Sequence, residues 1–257
     1  MSNFFLIAGP CVVENQEIGF EVAETLVSIT RKLNIPFYFK ASFKKANRTS
    51  IHSFSSIGET KALQILADIK SKYQVQILTD VHETSDIEKV KDIVDVIQIP
   101  AFLCRQTDLI LTAAKTEKTI NIKKGQFANA TQMQFAAEKV RSVGNNSIWL
   151  TERGNSFGYQ DLIVDFRNIP LLKVNNCKAI IDITHSIQQP NSTEGTTLGT
   201  PEFIELIAKC GIVAGADGLF LETHPNPSNA LSDGYNMIAL NKVENLLSKL
   251  QKIVAVL

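Results

Sequence analysis

The sequence predicts an α/β protein, a closed (β/α)8 TIM barrel formed as a single domain over residues 1–257. Three observations support this prediction. The chain has eight short, nearly continuous apolar runs, typical of strands buried on both faces. Most of them are separated by helix-period segments, and a helical crossover joins parallel strands. The length of 257 residues is close to the roughly 250 residues of such a barrel. A doubly wound open sheet is the alternative.

The predicted strands follow one another along the whole chain. They are Phe4–Ala8, Phe37–Ala41, Gln76–Asp80, Val96–Pro100, Thr119–Lys123, Ile148–Glu152, Ala179–Thr184 and Gly218–Glu222. Apolar residues recur with helical spacing in the segments Ile18–Leu33, Ala62–Ile69, Phe135–Val143, Phe203–Ile212 and Met237–Val254.

The sixth and seventh units depart from this simple pattern. Leu162–Phe166 is strand-like, and Asn168 is predicted to cap a short helix with Pro170 in its first turn. The longest polar stretch, Ser186–Thr200, follows the seventh strand. In a barrel that stretch lies on the catalytic face, so it is a candidate lid. No linker or low-complexity tract indicates a second domain.

Composition excludes several classes of protein. Lys plus Arg and Asp plus Glu number 26 each, so no overall field attracts nucleic acid or an anionic membrane. The four cysteines are far apart in the sequence, which indicates neither a disulfide framework nor a zinc ribbon. The N-terminal residues lack the basic region of a signal peptide, and no apolar run approaches about 18 residues. We expect a cytoplasmic protein.

Each predicted strand is followed by polar or reactive groups at its carboxyl end. In strand order these are Pro10-Cys11, Lys40, Asp80, Gln98, Lys123, Arg153, His185 and Glu222. In a barrel these ends converge on one rim, where active sites are built. Each residue alone has an ordinary explanation, such as a surface lysine, a turn aspartate or a hydrogen-bonded core amide, so the argument depends on the whole set.

The strongest concentration of positive charge lies in the segment Phe37–Ser53. Lys40, Lys44, Lys45 and Arg48 fall within nine residues at the end of an apolar strand. Such a cluster suits a ligand with more than one negative charge, and a solvated basic loop is the alternative. With Lys123, Arg153 and, further out, Arg105, the cations at the rim indicate a substrate load of about two phosphates and a carboxylate.

A second group of strand-end residues is a candidate metal site. Cys11, His185, Glu222 and Asp233 offer a thiolate, an imidazole and two carboxylates. This donor set favours a divalent transition ion such as Fe²⁺, Zn²⁺, Mn²⁺ or Co²⁺ over Mg²⁺ or Ca²⁺. The alternatives are a buried small cysteine, a core histidine and an aspartate that caps a helix.

Motifs along nearly the whole chain resemble those of the 3-deoxy-D-manno-octulosonate 8-phosphate synthases. They read LIAGPC, FKASFKKANRTSIHSF, LTDVHE, VIQIPAFLCRQTDL, NIKKGQFANA, LTERGNSFGY, DITHSIQQP and FLETHPNPSNALSDG. The resemblance implies a homotetrameric barrel that condenses phosphoenolpyruvate with arabinose 5-phosphate. The product is the eight-carbon sugar acid of the inner core of lipopolysaccharide.

The resemblance also implies roles for particular residues. Phosphoenolpyruvate would contact Lys40, Lys45, Gln98, Lys123, Arg153 and the backbone near Ala101. Arabinose 5-phosphate would contact Asn47, Arg48, Thr49 and Gln188, with Arg105 supplied by a neighbouring subunit. Asp80 would line the path of the sugar, and the catalytic set would be Lys40, Lys45, Asp80, Lys123 and His185. Family members often have Ser in place of Thr49, which keeps the hydroxyl.

This family has a metal-free and a metal-dependent branch, and the chain resembles the second. The metal-free branch has Asn in place of Cys11 and a Cys just before the aspartate that matches Asp233. Here Cys11 and Ser232 stand at these positions, so the resemblance implies a metal bound by Cys11, His185, Glu222 and Asp233.

Four other functions remain as alternatives. Synthases that use erythrose 4-phosphate have Lys-Pro-Arg-Thr where this chain has Ala46-Asn47-Arg48, and sialic acid synthases carry an extra C-terminal domain. A Schiff-base aldolase would require Lys40 or Lys123 to be desolvated among apolar groups, whereas the sequence places both among cations. A binding module without turnover is the non-enzymatic alternative, and a phosphate-release assay would distinguish it.

Overall fold

The chain folds as a closed barrel of eight parallel strands surrounded by helices. The structure is a computed structural model that describes residues 4–46, 50–157, 161–190 and 198–257. The barrel strands are β1 (Phe5–Gly9), β2 (Phe37–Lys40), β3 (Gln76–Asp80), β4 (Val96–Ile99), β5 (Thr119–Lys123), β6 (Ile148–Glu152), β7 (Lys178–Asp182) and β8 (Gly218–His224). Each strand pairs with the next, and β1 also pairs with β8. The closed barrel is therefore confirmed, and the open doubly wound sheet is wrong.

Helices cover the outside of the barrel. They are α1 (Gln16–Lys32), α2 (Glu59–Tyr73), α3 (Thr84–Val90), α4 (Thr107–Ala114), α5 (Met133–Arg141), α6 (Asn168–Leu172), α7 (Ile204–Val213) and α8 (Val243–Val254). The Asn15 side chain caps α1 by accepting a hydrogen bond from the backbone N–H of Ile18 at 2.8 Å. None of these helices, and no other helix in the described ranges, is long and apolar enough to cross a membrane.

Strands three, five and six have the predicted bounds. The other five differ by one or two residues at an end, and the end of β7 has an identifiable cause. The predicted strand Ala179–Thr184 actually ends at Asp182. The Asp182 carboxylate accepts hydrogen bonds from the backbone N–H groups of Thr184 and His185, at 3.1 and 2.8 Å. An aspartate that bonds to the backbone two residues ahead starts a turn. Thr184 and His185 therefore belong to the turn rather than to the strand.

Predictions for the sixth and last units are wrong in detail. Only Leu162–Ile163 of the strand-like run is a strand, paired with Asn155–Ser156 in a hairpin outside the barrel. Asn168 is the first residue of α6, with no capping bond, because its side-chain amide donates to Glu152 instead. The final helix begins at Val243, and a short strand at Ile238–Ala239 precedes it, beside the end of β8.

The interior of the barrel is apolar at one end and polar at the other. Large side chains fill the amino-terminal end: Phe5, Ile7, Leu78, Val96, Trp149, Ile180 and Phe220 form one buried cluster. The rings of Phe5 and Trp149 lie 4.6 Å apart between centroids. Because side chains alternate along a strand, the residues two positions beyond the last five of these also point inward, and they are polar: Asp80, Gln98, Thr151, Asp182 and Glu222. This arrangement places a polar rim above a packed core.

Candidate active site

A cavity of about 490 Å³ opens at the carboxyl ends of the strands. Its volume lies in the usual range for small-molecule sites. Six of the predicted strand-end residues line it: Lys40, Asp80, Gln98, Lys123, Arg153 and His185. Lys45, Ala101, Gln188 and Asp233 line it as well. Cys11 and Glu222 lie just below, 0% and 1% exposed. The predicted convergence of strand ends on one rim is therefore present.

Two buried lysines form one wall of the cavity. The Lys40 ammonium donates to the Cys11 carbonyl oxygen at 2.9 Å and to Glu222 Oε1 at 2.7 Å. The Lys123 ammonium donates to the Asp182 carboxylate and lies 3.3 Å from the centroid of the Phe220 ring. Burial lowers the pKa of Lys123 to about 8, and Asp182 only partly offsets this effect. The sequence-based expectation that Lys123 is not desolvated is therefore wrong.

Arg153 lines the cavity, and one of its guanidinium nitrogens has no hydrogen-bond partner among the described residues. Its side chain is buried, and Nη2 donates to the side-chain oxygen of Gln188. Nη1 is also buried, and it finds no acceptor in the described part of the chain. Buried polar groups normally have partners, so an orphan guanidinium N–H in a cavity wall suits an anionic oxygen of a ligand.

Hydrogen bonds between neutral side chains hold Gln98, which lines the cavity. The Asn121 amide donates to Gln98 Oε1 at 3.1 Å, and the Thr151 hydroxyl donates to Asn121 Oδ1 at 2.7 Å. The Ser42 hydroxyl donates to Asp80. The sequence did not single out Asn121 or Thr151, although each is a polar residue within an apolar strand. Their inward direction follows from the strand register, which places Asn121 beside Gln98.

Three of the four predicted metal ligands lie together. Ligand atoms of Cys11, Glu222 and Asp233 are all within 4.8 Å of one another. Burial and the Glu222 and Asp233 carboxylates raise the pKa of the Cys11 thiol. A divalent cation would supply the positive charge that a thiolate requires in this position. The donor set therefore fits a transition-metal ion.

His185 is near this group but is not part of it. Its Nε2 lies 3.5 Å from Glu222 Oε2, and its Nδ1 lies 2.7 Å from Asp182 Oδ2. Asp182 thus orients the imidazole so that Nε2 faces the candidate ligands, an arrangement common around metal-binding histidines. Asp182 was not among the predicted site residues, even though it is the last residue of β7 and precedes His185 by only three positions.

Several predicted binding residues lie elsewhere. Lys44 faces away from the cavity and forms ion pairs with Asp86 at 2.6 Å and Glu59 at 3.1 Å, so its assignment to the cationic pocket is wrong. Arg105 is exposed and lines a separate cavity of about 310 Å³ beside α5. Asn47, Arg48 and Thr49, and residues 191–197 of the predicted lid, lie outside the described residues.

Comparisons with known proteins cover the whole barrel. The model of the DAHP synthetase I family matches residues 2–256. A protein of Desulfotalea psychrophila named 2-dehydro-3-deoxyphosphooctonate aldolase is 50% identical over 248 residues, which are 96% of this chain and 89% of that protein. Proteins with the same name from Francisella tularensis subsp. holarctica and Campylobacter jejuni are 45% and 44% identical, over 97% and 98% of this chain and 91% and 97% of their own lengths. This chain belongs to the DAHP synthetase I family.

Proposed function

We propose that this protein condenses phosphoenolpyruvate with D-arabinose 5-phosphate and water to give 3-deoxy-D-manno-octulosonate 8-phosphate and inorganic phosphate. One observation carries the proposal: the orphan Nη1 of Arg153 and the ammonium groups of Lys40 and Lys123 belong to one cavity, as a polyanionic substrate requires. The name shared by relatives of 44–50% identity indicates which anions these are.

The cavity divides between the two substrates. In this proposal phosphoenolpyruvate contacts Lys40, Lys45, Gln98, Ala101, Lys123 and Arg153, all of which line the cavity. The sugar lies toward Asp80 and Gln188, and Asn47, Arg48 and Thr49 bind its phosphate together with Arg105 of another subunit. The cations hold two anionic molecules together against their mutual repulsion, so positioning and electrostatic stabilisation supply much of the catalysis.

The chemistry makes one carbon–carbon bond and breaks one carbon–oxygen bond. C3 of phosphoenolpyruvate attacks the aldehyde carbon of the sugar, whose oxygen takes a proton. Water adds to the cationic C2 that develops and gives up one proton. Phosphate then leaves from C2 with its bridging oxygen, and the C2 hydroxyl becomes the ketone by giving its remaining proton to the phosphate. Asp80 is the candidate group for moving these protons, because it lines the cavity.

A transition-metal ion completes the proposed site. Cys11, Glu222 and Asp233 would hold it, with His185 as the fourth ligand, and this donor set suits Fe²⁺, Zn²⁺, Mn²⁺ or Co²⁺. When bound, such an ion orients the aldehyde or lowers the pKa of water. We also propose a cytoplasmic homotetramer that serves assembly of the lipopolysaccharide inner core, since its product is the sugar acid of that core.

A phosphate-release assay tests the function. We expect phosphate only when phosphoenolpyruvate and arabinose 5-phosphate are both present, and much less with erythrose 4-phosphate as acceptor. With ¹⁸O in the bridging position of phosphoenolpyruvate, the label should appear in the released phosphate. Absence of release with arabinose 5-phosphate, or an equal rate with erythrose 4-phosphate, would contradict the proposal.

The burial of Lys123 favours one competing function. A lysine with a pKa of about 8 beside an aromatic ring has the properties of a Schiff-base nucleophile. Borohydride added with arabinose 5-phosphate or with pyruvate would trap such an adduct, and mass spectrometry would locate it. We expect no adduct, because the Lys123 ammonium is paired with Asp182. A trapped Lys123 would replace the proposed mechanism with that of a Schiff-base aldolase.

A further inference from the structure

A second buried ion pair is formed by the residues next to two of the cations that line the cavity. Lys124 and Glu152 both have side chains that are 0% exposed, and Lys124 Nζ is 3.3 Å from Glu152 Oε1. They are the sequence neighbours of Lys123 and Arg153. Side chains alternate along a strand, so Lys123 and Arg153 line the cavity whereas Lys124 and Glu152 do not.

Lys124 joins the segments that follow β5 and β6. Its ammonium lies within hydrogen-bond distance of the carbonyl oxygens of Gly125, Ala128 and Gly154, at 3.4, 3.2 and 3.2 Å. Its shortest contact is with Asn155 Oδ1, at 2.7 Å. Two of these acceptors belong to the segment that also carries Gln126 into the cavity. The other two follow Arg153 directly.

Glu152 holds the backbone of Arg153 itself. Glu152 Oε1 accepts hydrogen bonds from the backbone N–H groups of Arg153 at 2.9 Å and Gly154 at 2.6 Å. Glu152 Oε2 accepts a hydrogen bond from the Asn168 amide at 2.7 Å. This carboxylate therefore fixes the direction in which the chain leaves β6. It also fixes the position of the Arg153 backbone, from which the side chain extends.

We propose that Lys124 and Glu152 are positioning residues whose buried pair aims the Arg153 guanidinium at an anionic oxygen of phosphoenolpyruvate. This inference rests on the proposed function for the identity of the anion. Stability alone does not account for the pair, because buried ion pairs can often be replaced by apolar residues without loss of stability. A requirement for geometry does account for it, since a displacement of about 1 Å at a reacting group can cost about 100-fold in rate.

Two variants and a control separate positioning from stability. Lys124→Met should raise the KM for phosphoenolpyruvate at least about tenfold, with a smaller change in the KM for arabinose 5-phosphate. Lys124→Met combined with Glu152→Gln removes both charges, so it should recover the urea midpoint lost in the single variant but not the KM. Lys70→Met removes a lysine that bridges Ile93 and Asp95 beside the start of β4, and it should leave both KM values unchanged.

Recovery of the wild-type KM in the double variant would overturn the inference, because the pair would then matter only as balanced charge. Calorimetric titration with inorganic phosphate measures the anion site without turnover. An unchanged Kd for phosphate in both Lys124 variants would also overturn it. A third outcome is that the wild-type protein binds phosphate, that Lys124→Met weakens this binding, and that no turnover is found. This outcome would contradict only the proposed function.

Discussion

Adjacent residues of the same type have different surroundings in this barrel. Of the two lysines at the end of β5, Lys123 lines the cavity and Lys124 lies behind it. After β2, Lys45 lines the cavity, whereas Lys44 pairs with Asp86 on the outside. A count of cations in a motif therefore overestimates the charge that a substrate meets, because Lys44 and Lys124 pair with carboxylates away from the cavity.

The first prediction concerns the charge of Lys123. Burial lowers its pKa to about 8, so the unliganded protein loses this ammonium as the pH rises through that value. The affinity for phosphoenolpyruvate should then weaken by up to about tenfold per pH unit. Calorimetric Kd values between pH 7 and 9.5 would measure the effect. Lys123→Gln should bind weakly at every pH in this range, and a constant wild-type Kd up to pH 9.5 would disprove the prediction.

The same pKa has a consequence for stability that runs in the opposite direction. The folded pKa of Lys123 is below its ordinary value of 10.5, so between these values the unfolded chain binds more protons than the folded protein. The contribution of this group to the free energy of unfolding should therefore increase as the pH rises through that window. Urea unfolding of wild type and Lys123→Gln at pH 7.5 and pH 10 would show whether the difference between them changes with this sign.

The second prediction concerns Cys11 and the metal. Asn binds transition ions far more weakly than thiolate does, so Cys11→Asn should lower metal affinity by more than about 100-fold, a loss larger than that typical of outer-sphere partners. Elemental analysis after dialysis against a chelator of known affinity would measure it. Cys210→Asn, which changes a cysteine outside the site, is the control. Wild-type protein that turns over without any metal would contradict the assignment.

At the scale of elements, an ion pair holds the segment between β2 and α2 against the first turn of α3. Lys44 donates to Asp86, and the Asp86 carboxylate also accepts hydrogen bonds from the backbone N–H groups of His82 and Glu83. Burial alone would raise the pKa of Asp86, but these hydrogen bonds outweigh it and keep the pKa below its usual value. The segment that we propose binds substrate is thus held at Lys44 by a carboxylate that is 0% exposed.

The third prediction is that Lys44→Met weakens this connection. Removing the cation leaves a buried carboxylate without its partner, which should cost about 2–3 kcal/mol of the free energy of unfolding at pH 7. Because the folded pKa of Asp86 is depressed, this contribution is present above the unfolded pKa of about 4. It should disappear as the pH falls through the folded pKa. Urea unfolding at pH 7 and at a series of pH values from 4 downward would measure the loss.

Lys89 provides a matched control for Lys44. It pairs with Glu59 at 2.6 Å and lies 3.5 Å from Asp86, but its side chain is 41% exposed, against 14% for Lys44. An exposed pair contributes little, so Lys89→Met should lower the free energy of unfolding much less than Lys44→Met does. If both variants lost the same free energy of unfolding, burial of the Lys44 pair would make no difference to its contribution, and the prediction would be wrong.

At the scale of the whole molecule, the sequence was sufficient for the architecture. Nearly continuous apolar strands and helical crossovers predicted the parallel barrel, and the polar residue at each strand end predicted the rim. These features are local, because a strand and the residue after it are read from a few neighbouring positions. The pairing of β1 with β8, which closes the barrel, follows only from the count of strands and the direction of the crossovers.

What the sequence could not predict depends on contacts between distant strands. Asp182 holds Lys123 from 59 positions away, and Thr151 supports Gln98 through Asn121. A pattern of apolar and polar residues identifies each of these as polar but does not name its partner. The burial of Lys123 was missed for the same reason, since desolvation depends on the packing of the whole barrel, including Phe220 of β8.

The last prediction concerns assembly. Arg105 is exposed and lies apart from the main cavity, so within one subunit it does not contribute to the site. If a neighbouring subunit presents it to the sugar phosphate, Arg105→Ala should raise the KM for arabinose 5-phosphate well above its effect on that for phosphoenolpyruvate. An exposed contact would cost roughly 1 kcal/mol, and a buried contact at the subunit interface would cost several.

Assemblies mixed from two variants would make this test specific for a contribution between subunits. Subunits with Arg105→Ala and subunits inactivated by His185→Ala should each be inactive or weak alone, yet their mixture should recover activity at sites that combine an intact cavity with an intact Arg105. Arg31→Ala, which removes an arginine in the last turn of α1, is the control and should not change either KM. Equal effects on both substrates, or no recovery on mixing, would show that Arg105 does not act on a neighbouring site.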